Sequence, residues 1–280
     1  GSDCAGALCL ALDGARRSKA SRLTFAKGRY DFWPDRARER QLFVSNNDEG
    51  LKRIAFDLAG FEDFEVDGQG SELIFHGWIT PFVIEKARGV TLKNFSIDWG
   101  RAFHSEGLIR EVHPDGLTLE FDGDNPNKIQ GGILVFTDRP EGKERPQPSR
   151  GNDILYPYGN LLEFDPVRRE TAFMARDHWA KRGLVAKELG KGTVRVTLEG
   201  LTGTPGNILV FGPNHRDCPA FVISNSAGVR VEQVDIHHCG GMGVIAQRSR
   251  DLALDLARIT PPAGSKRIVS ITADATHFSN

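Results

Sequence analysis

The chain repeats itself at two fixed intervals, a property that few folds accommodate. Phe82, Val83, Ile84, Gly89 and Val90 recur as Phe221, Val222, Ile223, Gly228 and Val229, at a constant offset of 139 residues. Leu92 over Val231 and Ile97 over Ile236 extend the match. A third copy, Val244, Ile245 and Ala246 followed by Leu252, Ala253 and Leu254, lies 23 residues beyond the second. A unit of that length, made of short strands with alternate residues inward, buries its apolar side only by stacking on its neighbours. The pattern predicts an all-β chain whose main body is a right-handed parallel β-helix.

The punctuation agrees. Glycine, at 31 of 280 residues, falls between brief apolar runs at 54–58, 64–66, 73–75, 82–84 and 90–97, as in a strand-and-turn protein. Ala5, Leu8, Leu12 and Ala15 alone recur at helical spacing, giving a short amphipathic capping helix over residues 5–16. The interval between the first two copies is too long for one coil. It reads as an antiparallel β-barrel-like insertion, with a hairpin at 108–121 turning on Pro114, Asp115 and Gly116. Residues 133–136, 161–164, 194–198 and 208–211 are its further strands, and the charged, proline-rich stretch 139–151 a solvated loop. The expected division is therefore a cap and first coils over 1–100, the insertion over 101–213, and continuing coils over 214–280, truncated at the C-terminus.

A net charge of -1 supplies no concentrated positive field, which argues against nucleic acid or an anionic membrane as partner. Cys4, Cys9, Cys218 and Cys239 match no zinc or redox spacing, and Cys239 reads as a packed small hydrophobe. No apolar run reaches the roughly 18 to 20 residues of a membrane span, and the stretch 5–12 lacks the cationic start of a signal peptide. Nucleotide-binding loops, the serine-hydrolase elbow and the zinc-peptidase motif are absent from the sequence. The sequon at Asn94 and Ser96 lies inside an expected coil.

Three clusters have residues suited to chemistry. His237 and His238 precede Cys239 and the glycines 240, 241 and 243, where a ligand can approach backbone closely; neighbouring His side chains on a strand point to opposite sides, so at most one faces a cleft. The alternative is a glycine-rich turn with one packed His. Asp274, between Ala273 and Ala275 and followed by His277, has room beside it for a bulky group, or else is a turn Asp capping its own backbone. Trp78, Asp98 with Trp99, His104, and Asp177 with His178 and Trp179 pair aromatic faces with carboxylates, which suits a sugar's C–H face and hydroxyls; core tryptophans are the alternative.

Four segments in this order, residues 28–34 (GRYDFWP), 95–99 (FSIDW), 240–249 (GGMGVIAQRS) and 273–278 (ADATHF), resemble glycoside hydrolase family 110. The likeness runs across nearly the whole chain, and the last two segments are its most specific parts. It implies an exo-acting bacterial α-1,3-galactosidase, including action on the blood group B antigen, by an inverting mechanism, on a parallel β-helix with β-barrel insertions, without metal or other cofactor. Asp274 matches the family's first catalytic-site aspartate, with its role as acid or base open. Gln247, His277, His238, Trp99 and Asp98 are the implied galactose contacts. The family's Asp-Asp pair one coil further on has no counterpart before Asn280, so the chain reads as an N-terminal portion. The resemblance also implies a periplasmic or secreted location and galactose-terminated glycans as partners; oligomeric state stays open, a homodimer included. The rival readings are another β-helix polysaccharide hydrolase or lyase, and a non-catalytic glycan-binding solenoid.

Overall fold

The computed structural model describes residues 2–47, 49–139, 154–255 and 257–279. The proline-rich loop expected at 139–151 lies outside these residues except for Arg139.

The helix forms at Ala5–Ser18 and buries Ala5, Leu8 and Leu12, the stripe its spacing requires. It stops at Lys19, which is left-handed (φ 52°), with Arg16 and Arg17 in the last turn where the helix dipole favours cations. Arg16 donates to the carbonyls of Asp57 and Ala59, both at 3.2 Å, and covers the Phe61 ring at 4.7 Å. Among the described residues no helix is long and apolar enough to cross a membrane.

The described strands fall into three sheets. In the six-stranded sheet, Phe221–Ser224 lies between Thr80–Glu85 and Val244–Gln247, parallel to both. Phe221 is opposite Phe82 on one side and Val244 on the other, so the sequence offsets of 139 and 23 are registers of strand pairing. The seven-stranded sheet shows the same offsets: Arg230–Ile236 pairs Val231 with Leu92 and Ile236 with Ile97, and Arg230 with Ala253. Phe82, buried inside, stacks on Phe56 (4.2 Å), Phe221 (5.0 Å) and Phe95 (5.3 Å). On the opposite side of the same strands, Val83, Val222 and Ile245 pack with Leu42, Val44 and Met242. Burial on both faces explains why these strands read as continuous apolar runs and do not alternate. Each strand leaves the sheet through a left-handed residue, Lys86, Asn225 and Arg248, at φ 50°, 49° and 47°.

The chain divides into two compact units. One comprises Gly1–Ala102, His215–Gly264 and Val269–Asn280 and holds the two sheets just described; the other comprises Phe103–Asn214 and Ser265–Ile268. The second contains a ten-stranded sheet whose strand pairs are all antiparallel, including the expected hairpin, Ser105–His113 with Gly116–Glu120. Its core gathers Phe121, Phe136, Phe211 and Tyr158. The Tyr158 hydroxyl donates to the Leu134 carbonyl and accepts from the Leu184 N–H, both at 2.9 Å, and burial pushes its pKa up to about 12.

This topology corrects the expected class. In place of a right-handed parallel β-helix with a β-barrel-like insertion, the described residues are all-β with one α-helix and three separate sheets, the largest antiparallel. Among the described residues that sheet runs from Asn127–Gln130 to Glu170–Thr171 without the end strands pairing, so it does not close into a barrel there. The six-stranded sheet also begins with an antiparallel pair, Arg38–Phe43 with Glu49–Asp57. Apolar periodicity fixes which strands pair and which side is inward; shear and connection geometry, which decide winding and closure, leave no local pattern.

Candidate active site

Asp274 lies in the bend that leads into Thr276–Ser279, the strand that pairs parallel with Val244–Gln247 at the side of the six-stranded sheet. Its backbone carbonyl accepts from the Gly243 N–H at 3.2 Å, and Ala275 accepts from Val244 at 3.0 Å. Its side chain is 56% exposed, with Oδ2 4.0 Å from Arg216 Nη1. At that distance and exposure the pair is weakly coupled, and the carboxyl is open to a ligand.

His277 and Gln247 belong to this same edge. His277 is in register with Ile245 and Gln247 with Ser279, so the two side chains project to one face of adjacent strands. Gln247 is buried (7% exposed) in a polar row with Glu85, Ser224 and Ser279. His277 and Gln247 thus lie on two neighbouring strands, and Asp274 precedes the first of these, level with Gly243 and four residues short of Gln247.

The glycines before them have a structural cause. A Cβ at Gly241 would stand 2.5 Å from the Arg216 carbonyl oxygen, and one at Gly243 would stand 2.6 Å from that of Ala275. Neighbouring backbone occupies the space they leave. The same close packing brings Arg216 beside Asp274, a neighbour that sequence reading missed because residues 214–217 carry no periodic signal.

The other implied contacts lie elsewhere. Trp99 is 4% exposed, donates from Nε1 to the Gly77 carbonyl at 3.1 Å, and packs against Phe75. His238, 1% exposed, meets Trp99 edge to face at 5.8 Å and bonds the Ser270 carbonyl through Nδ1. Both continue the inward alternation of Phe95, Ile97 and Ile236, a signal visible in the sequence. Asp98 and His237 take the outward positions: Asp98 Oδ1 accepts from the Trp99 N–H at 2.8 Å, and His237 Nδ1 donates to the Thr260 carbonyl at 2.8 Å. Of the remaining aromatic candidates, His104 is buried beside Glu106 (3.1 Å) in the second unit, where Trp179 is exposed and Asp177 accepts from Asn160 at 3.1 Å.

A cluster that sequence reading did not single out lies at the end of Arg29–Phe32. Trp33 stacks on His76 with ring centres 3.8 Å apart and planes within 3°. His76 Nε2 is 2.8 Å from Asp31 Oδ1, and Arg29 clamps the same carboxylate at 2.9 and 3.2 Å. Burial holds His76 below its ordinary value of 6.5 despite Asp31. Burial raises Asp31, but the bonds from Arg29 and His76 outweigh it and leave the carboxyl below its ordinary 3.8.

No family model matches the chain. It is 39% identical over 286 residues to alpha-1,3-galactosidase A of Shewanella woodyi, an alignment covering 100% of this chain and 45% of that protein. With alpha-1,3-galactosidase B of Bacteroides thetaiotaomicron it shares 29% over 275 residues, 96% of this chain and 43% of the relative. With alpha-1,3-galactosidase B of Akkermansia muciniphila the figures are 27% over 279 residues, 98% and 33%. The chain therefore spans less than half the length of the curated relatives it matches. Along its own whole length it is related by sequence to the alpha-1,3-galactosidases, the enzymes to which its resemblance to glycoside hydrolase family 110 points.

Proposed function

We propose that these residues form part of a glycoside hydrolase that removes terminal α-1,3-linked galactose, blood group B-type glycans included, outside the cytoplasm of a bacterium. The observation that carries this reading is the 39% identity to alpha-1,3-galactosidase A along the whole chain. The exposed position of Asp274 at a sheet edge supports it. In an inverting reaction one carboxylic acid protonates the glycosidic oxygen while a carboxylate about 6.5 to 9.5 Å away activates water on the opposite face. Asp274 supplies one of these two groups, and His277, three residues further along the same segment, holds a galactose hydroxyl, while Gln247, four residues beyond Gly243 on the neighbouring strand and so about 13 Å along it, contacts a more distant part of the glycan. A neutral sugar needs hydrogen-bond partners and no long-range field, in keeping with the net charge of -1.

In the full-length protein, Asp274→Asn should lower turnover of Galα1-3Gal by about 10²- to 10⁴-fold, the usual contribution of a general acid or base. The first-formed sugar should be β-galactose by NMR. Wild-type turnover in the variant removes Asp274 from the mechanism, and α-galactose as first product removes inversion. The span of less than half of the relatives favours a second reading for the 280 residues alone, glycan binding without hydrolysis. Binding of a galactose-terminated glycan with no product would support it.

A further inference from the structure

The outer face of the seven-stranded sheet carries a groove of about 560 Å³ that the proposed chemistry at Asp274 does not use. It opens where the strand ladders are interrupted at one level. Asn94 and Gln233 are left-handed (φ 60° and 51°) between paired neighbours, and the ladder of Glu65–Phe75 jumps from Asp67 to Ser71. Gln69 Nε2 and Asn94 Nδ2 both donate to Asp67, at 2.7 and 2.9 Å, which fixes the amides on this rim.

Below the amides a single row crosses five strands in register: Arg29, Glu72, Ser96, Asp235, Arg258. Each carboxylate has an arginine on its outer side. Arg258 clamps Asp235 at 2.7 and 3.0 Å, whereas Arg29, opposite Glu72 in register, is committed to Asp31. Between the acids stands only the short side chain of Ser96, two strand spacings wide, about 9.5 Å from one acid backbone to the other. His237 closes the side, its Nδ1 committed to the Thr260 carbonyl.

The lining selects a class of ligand. Among the described residues it has no Lys or Arg, which an anion would need; Asp235 is already matched by Arg258, which leaves Glu72 as a single uncommitted carboxylate, too few charged ligands for a bare cation. Amides, a hydroxyl and carboxylate lone pairs around a slot of small-molecule size suit a neutral ligand rich in hydroxyls.

We propose that this groove is a saccharide-binding surface separate from the Asp274 edge, seating a neutral sugar ring over Ser96 between Glu72 and Asp235. The choice of galactose-containing ligands rests on the galactosidase reading; the site itself rests on the groove.

The test is titration of the chain with galactose, with Galα1-3Gal and with maltose, followed by the side-chain amide NMR signals of Asn94 and Gln233. These signals should shift and saturate at millimolar sugar, and galactose against maltose reports which hexose is preferred. Ser96→Trp fills the slot and should weaken binding at least about tenfold, whereas Ser96→Ala should bind as wild type. Glu72→Gln, at an exposed position, should weaken binding about tenfold by losing a charge-assisted acceptor even if Ser96→Trp folds poorly. Amide signals unmoved by all three sugars, or a response that survives both Ser96→Trp and Glu72→Gln, overturns the site. Asp274→Asn should leave these shifts intact. A silent groove with Asp274-dependent hydrolysis in the full-length protein would therefore sink this proposal alone, and a responsive groove without hydrolysis would sink only the galactosidase reading.

Discussion

A methyl group added at Gly243 would stand 2.5 Å from Ile259 Cδ1 as well as 2.6 Å from the Ala275 oxygen, and the second of these is backbone. Gly243→Ala should therefore cost about 1 to 3 kcal/mol, the usual price of overpacking, read as a lower urea midpoint with an unchanged slope. Because the Gly243 N–H is also the donor to the Asp274 carbonyl, the same change should loosen the candidate catalytic bend. The glycines were legible in sequence as places of close approach, but what approaches is neighbouring chain, which only the tertiary structure specifies. His76 gives a second residue-scale prediction. Its folded pKa and that of Asp31 are both depressed, so each contributes stability above its unfolded value that is lost on acidification. The His76 share should fade as pH drops below about 6.5, and the Asp31 share only below about 3.8. Denaturation midpoints between about pH 7 and pH 5 should fall in the wild type and flatten in His76→Gln, with Trp33 fluorescence as a local reporter.

Among the elements, Thr80–Glu85 has the most to lose, since Phe82 touches aromatic rings from three other strands. Phe82→Ala should destabilise the unit by about 3 to 5 kcal/mol, measurable by denaturant unfolding. Strand register was the most legible property of this chain. Phe82 over Phe221 and Leu92 over Val231, read from spacing alone, are observed pairs. The site was less legible. Asp274, His277 and Gln247 lie along one edge without forming a cluster, whereas Trp99 and His238 obey alternation and turn inward, and of the two adjacent histidines it is His237 that faces a groove. Residue type drew attention to Trp99, whereas position parity decided where its ring went.

For the molecule as a whole, the expected class failed where it depended on long-range geometry. An antiparallel insertion with a hairpin at 108–121 and further strands was foreseeable, but whether its strands close depends on shear summed over the sheet, to which no short segment testifies. The main segment of the second unit, Phe103–Asn214, nonetheless departs and returns at one place: Ser105 and Phe211, near its two ends, are paired partners. Replacing residues 103–214 with a short Gly-Ser linker should leave the two parallel-paired sheets folded, shown by a retained β-type circular dichroism spectrum and a single cooperative melt. Loss of all structure would mean that the first unit depends on the second. The Ser105 and Phe211 pairing has a further consequence, for the order of events during folding. Phe82 must find Phe221 across 139 residues, a costly loop to close in an unstructured chain. Once the hairpin sheet has formed, that loop shrinks to the short stretches 83–104 and 212–220, so the intervening unit acts as a clasp that brings the repeats within reach of each other.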